Sequence, residues 1–315
     1  MPNPFEDHAR KRTVREKWNT PILEWLYEKW GEKYLYLGLP GPEAYDIKLW
    51  AKMIEKVIAF EITDDTRDNP RENFERLCTN LTLMKLPHNV YHGYLEDVVL
   101  WKKDLDEREF KIDKFVTLFN LDFCNSITGK VPTPDGGKCR RFEAIREIIT
   151  IQRALFRTTG VSKFVMLITA LDAFHLKEMN RFIAKRDLPS EIRTAVSREH
   201  AVKLPVLIPC QISNLYHNTE LLRLFMFDFL RGCFAGQNIK SFFLPAVRFQ
   251  GRTKWSPMIH LCVVCQMEGI ESAQVVDEQS AGDFVGMDMI TAKDGGLTED
   301  SPNPTTLLTN SWVVR

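Results

Sequence analysis

The sequence predicts an α/β fold around a largely parallel sheet, and three observations carry that reading. Short apolar runs of strand length alternate with amphipathic stretches from residue 33 to residue 170, the pattern of strands joined by crossover helices. Two later runs, 239–249 and 257–267, are separated by a connection short enough for direct antiparallel pairing. The chain has 315 residues, 44% apolar and 27% charged, which suffices for a large core and excludes collagenous, low-complexity and wholly disordered classes.

Taken in order, residues 1–32 form a helical leader. Trp18, Ile22, Trp25, Leu26 and Trp30 fall near helical spacing after a break at Asn19-Thr20-Pro21, giving the leader an apolar face to pack on the domain. The α/β domain spans 33–267. Its first strand, YLYLG (34–38), runs into Leu39-Pro40-Gly41-Pro42, where two prolines and a glycine force a tight loop. Helices over 43–54, 70–84 and 95–109 alternate with strands KVIAFEI (56–62), NVYHGY (89–94) and DKFVTLFNLD (113–122).

After the loop VPTPDGGK, an amphipathic helix over 140–158 precedes KFVMLITA (163–170), whose unbroken apolar run suits a strand covered on both faces. Residues 173–186, 190–203 and 215–231 read as helical and supply an insertion at about 190–235. The runs 239–249 and 257–267 then close a seven-stranded, mostly parallel sheet with an antiparallel hairpin. Residues 268–315 are acidic and rich in Gly, Ser and Thr, which predicts a loosely attached tail.

A net charge of zero conceals segregation: residues 1–137 carry −4, residues 138–254 carry +11 and residues 255–315 carry −7. The basic block is either a nucleic-acid face or a solvated surface balanced by the acidic parts. Lys138, Arg140, Arg141, Arg146, Arg153, Arg157 and Lys163 crowd the stretch 138–163, and Arg248, Arg252, Lys254 and Trp255 lie in the hairpin. The acidic tail offers a surface for a protein partner. No apolar run approaches membrane-spanning length and MPNPFEDHARKR lacks a signal-peptide core, so a cytoplasmic protein with no membrane partner is expected.

The seven cysteines are odd in number and scattered, as reduced thiols would be. Cys262 and Cys265 form a C-x-x-C, but three residues apart on one strand they point to opposite faces. Histidine ligand spacing, a P-loop and a nucleophile elbow are all missing from the sequence, so no metal is expected. The histidines read as surface or satisfied core residues.

Five strands each followed by a helix and then a closing hairpin resemble the class I S-adenosylmethionine-dependent methyltransferase fold, which is Rossmann-like. The resemblance covers residues 33–267 and implies S-adenosylmethionine as cofactor. It implies close backbone approach at Gly38, Pro40 and Gly41, with Glu43 or Asp46 meeting the amino group of the methionine moiety. The family's acidic residue before Gly-x-Gly is absent here.

Glu61, ending the second strand 20 residues past Gly41, matches the carboxylate that accepts both ribose hydroxyls. Glu96 or Asp97 would meet the adenine amino group, or simply favour a helix start. Asn120, Asp122, Phe123 and Asn125 end the fourth strand, where the fold puts its reacting groups. Asn120-Leu121-Asp122-Phe123 resembles, without its prolines, the Asn-Pro-Pro-Phe motif of amino-group methyltransferases. The implied activity is methyl transfer, with nucleic acid as the favoured acceptor. The alternative is a catalytically degenerate subunit that binds partners as a scaffold.

Overall fold

The computed structural model describes residues 8–62, 69–127, 140–172, 174–175, 202–203, 215–217, 219–251, 257–268, 279, 283–284, 287–298 and 301–309. The leader is α1 (Ala9–Thr13), a π-helical turn (Val14–Asn19) and α2 (Thr20–Trp30), run together as one helix. Gly31 ends it in the left-handed conformation at φ 73°, donating its N–H to the Tyr27 carbonyl at 2.9 Å.

There follow β1 (Tyr34–Gly38), α3 (Tyr45–Trp50), β2 (Ile54–Glu61), α4 (Glu72–Leu83), β3 (His88–His92), α5 (Leu95–Trp101), β4 (Leu118–Ser126), α6 (Arg140–Thr159) and β5 (Lys163–Leu171). Strands β6 (Phe174–His175), β7 (Val202–Lys203) and β8 (Leu215–His217) make a small separate sheet, and α7 (Thr219–Ala235) follows. The chain continues through β9 (Ile239–Phe243), β10 (Val247–Gln250), β11 (Pro257–Met267), β12 (Ile290–Lys293), β13 (Gly296–Leu297) and α8 (Pro304–Thr309).

The main sheet has the order β3-β2-β1-β4-β5-β11-β10-β12-β13, with β9 also on β11. Strands β1 to β5 are mutually parallel, and β11 enters antiparallel to β5 over its whole length. Strand β5 shows why such a strand must be apolar throughout. Phe164, Met166, Ile168 and Ala170 face the core under α5, α6 and α7, whereas Val165 and Leu167 face the core under the leader, α3 and α4. Cys262 and Cys265 fall in these two opposite cores, as their spacing predicts.

The leader is part of the second core. Val14, Trp18, Ile22, Leu23 and Leu26 are buried, each stabilising the fold by about 1.5–3 kcal/mol. The Trp50 indole donates to Thr20 Oγ1 at 2.8 Å, and Thr13 Oγ1 donates to the Lys293 carbonyl at 3.0 Å.

Several expectations change. The helix over 95–109 stops at Trp101, because Lys102 turns left-handed and Asp104 draws the chain into a turn by accepting the N–H groups of Asp106 and Arg108 at 3.0 and 2.9 Å. The single strand over 239–249 divides into β9 and β10 around Pro245, which has no N–H for the ladder. Both halves still pair with β11.

Most of 173–186 and 190–203 lies outside the described residues, and the described parts are strands of the small sheet rather than helices. The helix expected over 215–231 begins only after β8 and runs past Gly232 to Ala235. The tail beyond 268 is not loose throughout. Strand β12 alternates buried and exposed residues and pairs parallel to β10, and with β13 beside it the sheet reaches ten strands. Its four residues are too short a period-two signal to stand out in a polar segment.

Candidate active site

The crevice lies outside the carboxyl ends of β1, β2 and β4, where the strand order reverses between β1 and β4. It encloses a cavity of about 190 Å³. The floor depends on Gly38. A Cβ there would sit 2.3 Å from the Asn120 carbonyl oxygen and 2.8 Å from the Tyr36 hydroxyl, so β1 and β4 could not approach as they do. Gly38 therefore shapes the floor and does not line the cavity.

The loop beyond it does line the cavity, through Pro40, Gly41, Glu43 and Asp46. Gly41 takes φ 67° and its carbonyl receives the Ala44 N–H at 3.2 Å, starting α3. Glu43 leans on Arg76, 2.9 Å away. Asp46 is buried; it accepts a hydrogen bond from Asn120 Nδ2 at 2.6 Å and pairs with Arg15.

Glu61 ends β2 with its carboxylate buried on the cavity wall. Its one hydrogen bond among the described residues comes from the neighbouring Ile62 N–H at 3.1 Å. Burial pushes its carboxyl up to about 7, against the opposing pull of that N–H. A carboxylate set there retains acceptor capacity toward the cavity.

Gly93, Tyr94, Leu95 and Glu96 supply the wall after β3. Glu96 is tied to Arg141 Nε at 2.8 Å, and that guanidinium lies 4.8 Å over the Phe123 ring. Asp97 does not reach the cavity; it pairs with Arg140 at 3.0 Å and joins α5 to α6. From β4, Asp122 and Phe123 line the cavity, with Asp122 paired to Lys11. Asn120 sits deeper, donating to Tyr36 Oη at 3.2 Å as well as to Asp46. The side chain of Asn125 lies outside the described residues.

Sequence reasoning missed the leader's contribution. Lys11, Arg15 and Asn19 line a second, smaller compartment next to the first, together with Asn120, Asp122, Thr169 and His260. His260 is fully buried between Thr169 Oγ1 and Asn19 Oδ1, 2.8 Å from each. Burial holds its imidazole down to about 4. The four-residue spacing of Lys11, Arg15 and Asn19 was a visible signal, but it could not name the partners.

Six of the described cations of the basic block are engaged inside the fold. Arg140 and Arg141 pair with Asp97 and Glu96, Arg248 pairs with Asp172 at 3.0 Å and Lys240 pairs with Glu268. Arg153 and Arg223 donate to backbone carbonyls of Glu268, Phe284 and Met287 at 2.7–2.9 Å. Among the described residues there is no cluster of three metal-ligating side chains, and no helix is long and apolar enough to cross a membrane.

Five parallel strands ordered 3-2-1-4-5, an antiparallel strand inserted beside the fifth and a crevice at the reversal point define the class I methyltransferase fold. No family model matches the chain, and no curated protein matches it in sequence. Similar solved structures include the magnesium protoporphyrin IX methyltransferase of Synechocystis with bound SAH, at 9% identity and TM-score 0.37 over 81% of this chain and 85% of that one. TYW2 of M. jannaschii in complex with AdoMet is similar at 9% identity and TM-score 0.37, over 80% and 78% of the two chains. An rRNA methylase from Streptococcus thermophilus is similar at 8% identity and TM-score 0.37, over 79% and 97%. The strand order, and not these likenesses, carries the fold.

Proposed function

We propose that the protein binds S-adenosylmethionine in this crevice and transfers its methyl group to a polar acceptor. The observation that carries the reading is Glu61: a buried carboxylate at the end of β2, facing a cavity, with acceptor capacity unused by its single backbone donor. Left without a partner, such a group is costly to bury, and a vicinal diol supplies two donors to it. Leu39, Ile62, Tyr94 and Leu95 give the same cavity apolar surface for a flat base, and Asp46 and Asp122 give it negative charge for a cationic end.

When bound, the cofactor supplies an electrophilic methyl on a sulfonium. The chain's own part is positioning. Asn120, opposite Gly38 at the end of β1, and Asp122, two residues on along β4, stand where an acceptor hydroxyl or amine would be oriented. Nucleic acid as acceptor is the finer reading, supported by the +11 net charge of residues 138–254. The internal pairing of Arg140, Arg141, Arg153, Arg223, Lys240 and Arg248 reduces the charge left for such a face.

Calorimetric titration with S-adenosylmethionine and S-adenosylhomocysteine tests the reading. Saturable binding abolished by Glu61→Ala, with the fold intact by circular dichroism, supports it; no binding at millimolar ligand favours the scaffold role. For nucleic acid, binding to a single strand should weaken steeply with salt; a flat salt response removes that acceptor.

A further inference from the structure

We propose that the leader is a gate over the acceptor compartment, held shut by two ion pairs to the carboxylates that the cofactor's cationic end takes. The inference rests on the reading that the crevice binds S-adenosylmethionine. Lys11 pairs with Asp122 and Arg15 with Asp46, and all four residues line both the large cavity and the small compartment beneath the leader. That compartment has about 20 Å³, room for one water molecule. With the leader docked, no organic acceptor reaches Asn120 and Thr169 through it.

The leader is built to move at one end. Trp18, Ile22, Leu23 and Leu26 are fully buried, and Asn19 is pinned to His260, so its second half belongs to the core. Its first half is held more lightly. Val14 is its one buried apolar side chain in residues 9–15, and its ties include, besides the two pairs, the partly exposed pair of Arg10 with Asp294 at 2.9 Å and Thr13 on the Lys293 carbonyl. Between the halves lies the π-helical turn Val14–Asn19, the kind of irregularity that occurs at functional sites and leaves a helix easier to bend.

The electrostatics give the order of events. Asp46 and Asp122 are the carboxylates opposite the leader, and a ligand bearing an α-ammonium or a sulfonium competes with Lys11 and Arg15 for them. Each pair exchanged removes one tie on residues 9–15, so the cofactor enters first and its binding opens the way for the acceptor. A neutral nucleoside fills the Glu61 end and leaves both ties in place.

Hydrogen–deuterium exchange on the full chain tests this. Saturating S-adenosylmethionine or S-adenosylhomocysteine should speed amide exchange in residues 9–15 by roughly tenfold, and 5′-methylthioadenosine, which lacks the ammonium, should not. Unchanged or slowed exchange under S-adenosylmethionine that calorimetry shows to be bound overturns the gate, as does equal acceleration by 5′-methylthioadenosine. Failure of all three compounds to bind overturns the cofactor reading and the exchange mechanism with it.

The closed state has its own test. In the ligand-free Lys11→Met, Arg15→Met variant, exchange in 9–15 should rise roughly tenfold while β5 and β11 stay protected. Unaltered protection of the leader there would show that the ion pairs do not hold it, whatever the cofactor does.

Discussion

Asn120 donates its side-chain amide to Asp46 across 2.6 Å, tying β4, at the point where it flanks the end of β1, to the first turn of α3 over 74 residues of sequence. Both groups are buried, so the bond fixes β4 against the loop that walls the crevice. Asn120→Leu should lower stability by about 1–3 kcal/mol, because Asp46 loses a donor it cannot replace from water. Chemical denaturation of the two proteins measures it. Ligand affinity should fall as well, since Asp46 is then held only from the leader side.

Gly38→Ala is expected to be worse. The added methyl would meet the Asn120 backbone carbonyl, 2.3 Å away, and neither strand is free to yield. A loss of about 3 kcal/mol or more follows, visible as a lower melting temperature. Substitution of Gly160, with open space around its Cβ position, should cost less despite its φ of 71°.

Glu61→Gln should separate stability from binding. The folded-state carboxyl titrates at about 7, against an ordinary value of 4.5, so ionising it above pH 7 opposes folding. At pH 8 the neutral amide should stabilise the ligand-free protein by about 1–3 kcal/mol while abolishing adenosyl-ligand binding. Denaturation at pH 8 with and without ligand decides it; a destabilised variant would show that the charge is compensated in the fold.

Glu61 and His260 should nearly cancel in the pH dependence of stability. The Glu61 carboxyl, raised to about 7, stays protonated in the fold after the unfolded chain has ionised, so its contribution grows as pH falls from 7 to 4.5. The His260 imidazole, lowered to about 4, stays neutral after the unfolded chain has taken a proton, so its contribution is lost as pH falls from 6.5 to 4. The slopes are opposite over pH 4.5–6.5. Glu61→Gln should therefore show a steeper acid loss than the parent, and His260→Gln a shallower one, in denaturation midpoints taken every half unit of pH.

The parts of the molecule written in local pattern were legible. Strand β5 declares itself because both its faces are covered, and β11 shows its bounds of 257–267 for the same reason. Pro40, Gly41, Glu43, Asp46, Glu61, Glu96, Asp122 and Phe123 converge on one cavity because a parallel sheet brings every strand's carboxyl end to one edge. What was hidden depends on docking between distant segments. No local feature tells that Lys11 meets Asp122, or that His260 meets Asn19 across 241 residues. Gly38 does serve close approach, but the approaching group is the neighbouring strand.

The hydrogen bond from Thr13 to the Lys293 carbonyl spans 280 residues, so α1 docks against a strand that leaves the ribosome long after it. Until β12 is added, α1 has no landing place on that side, and the apolar face of Val14 and Trp18 must wait or be shielded. Contacts of such separation slow folding and lengthen the time an apolar helix stays exposed on the ribosome. The compartment under the leader thus gains its Thr13 tie only once β12 has been made.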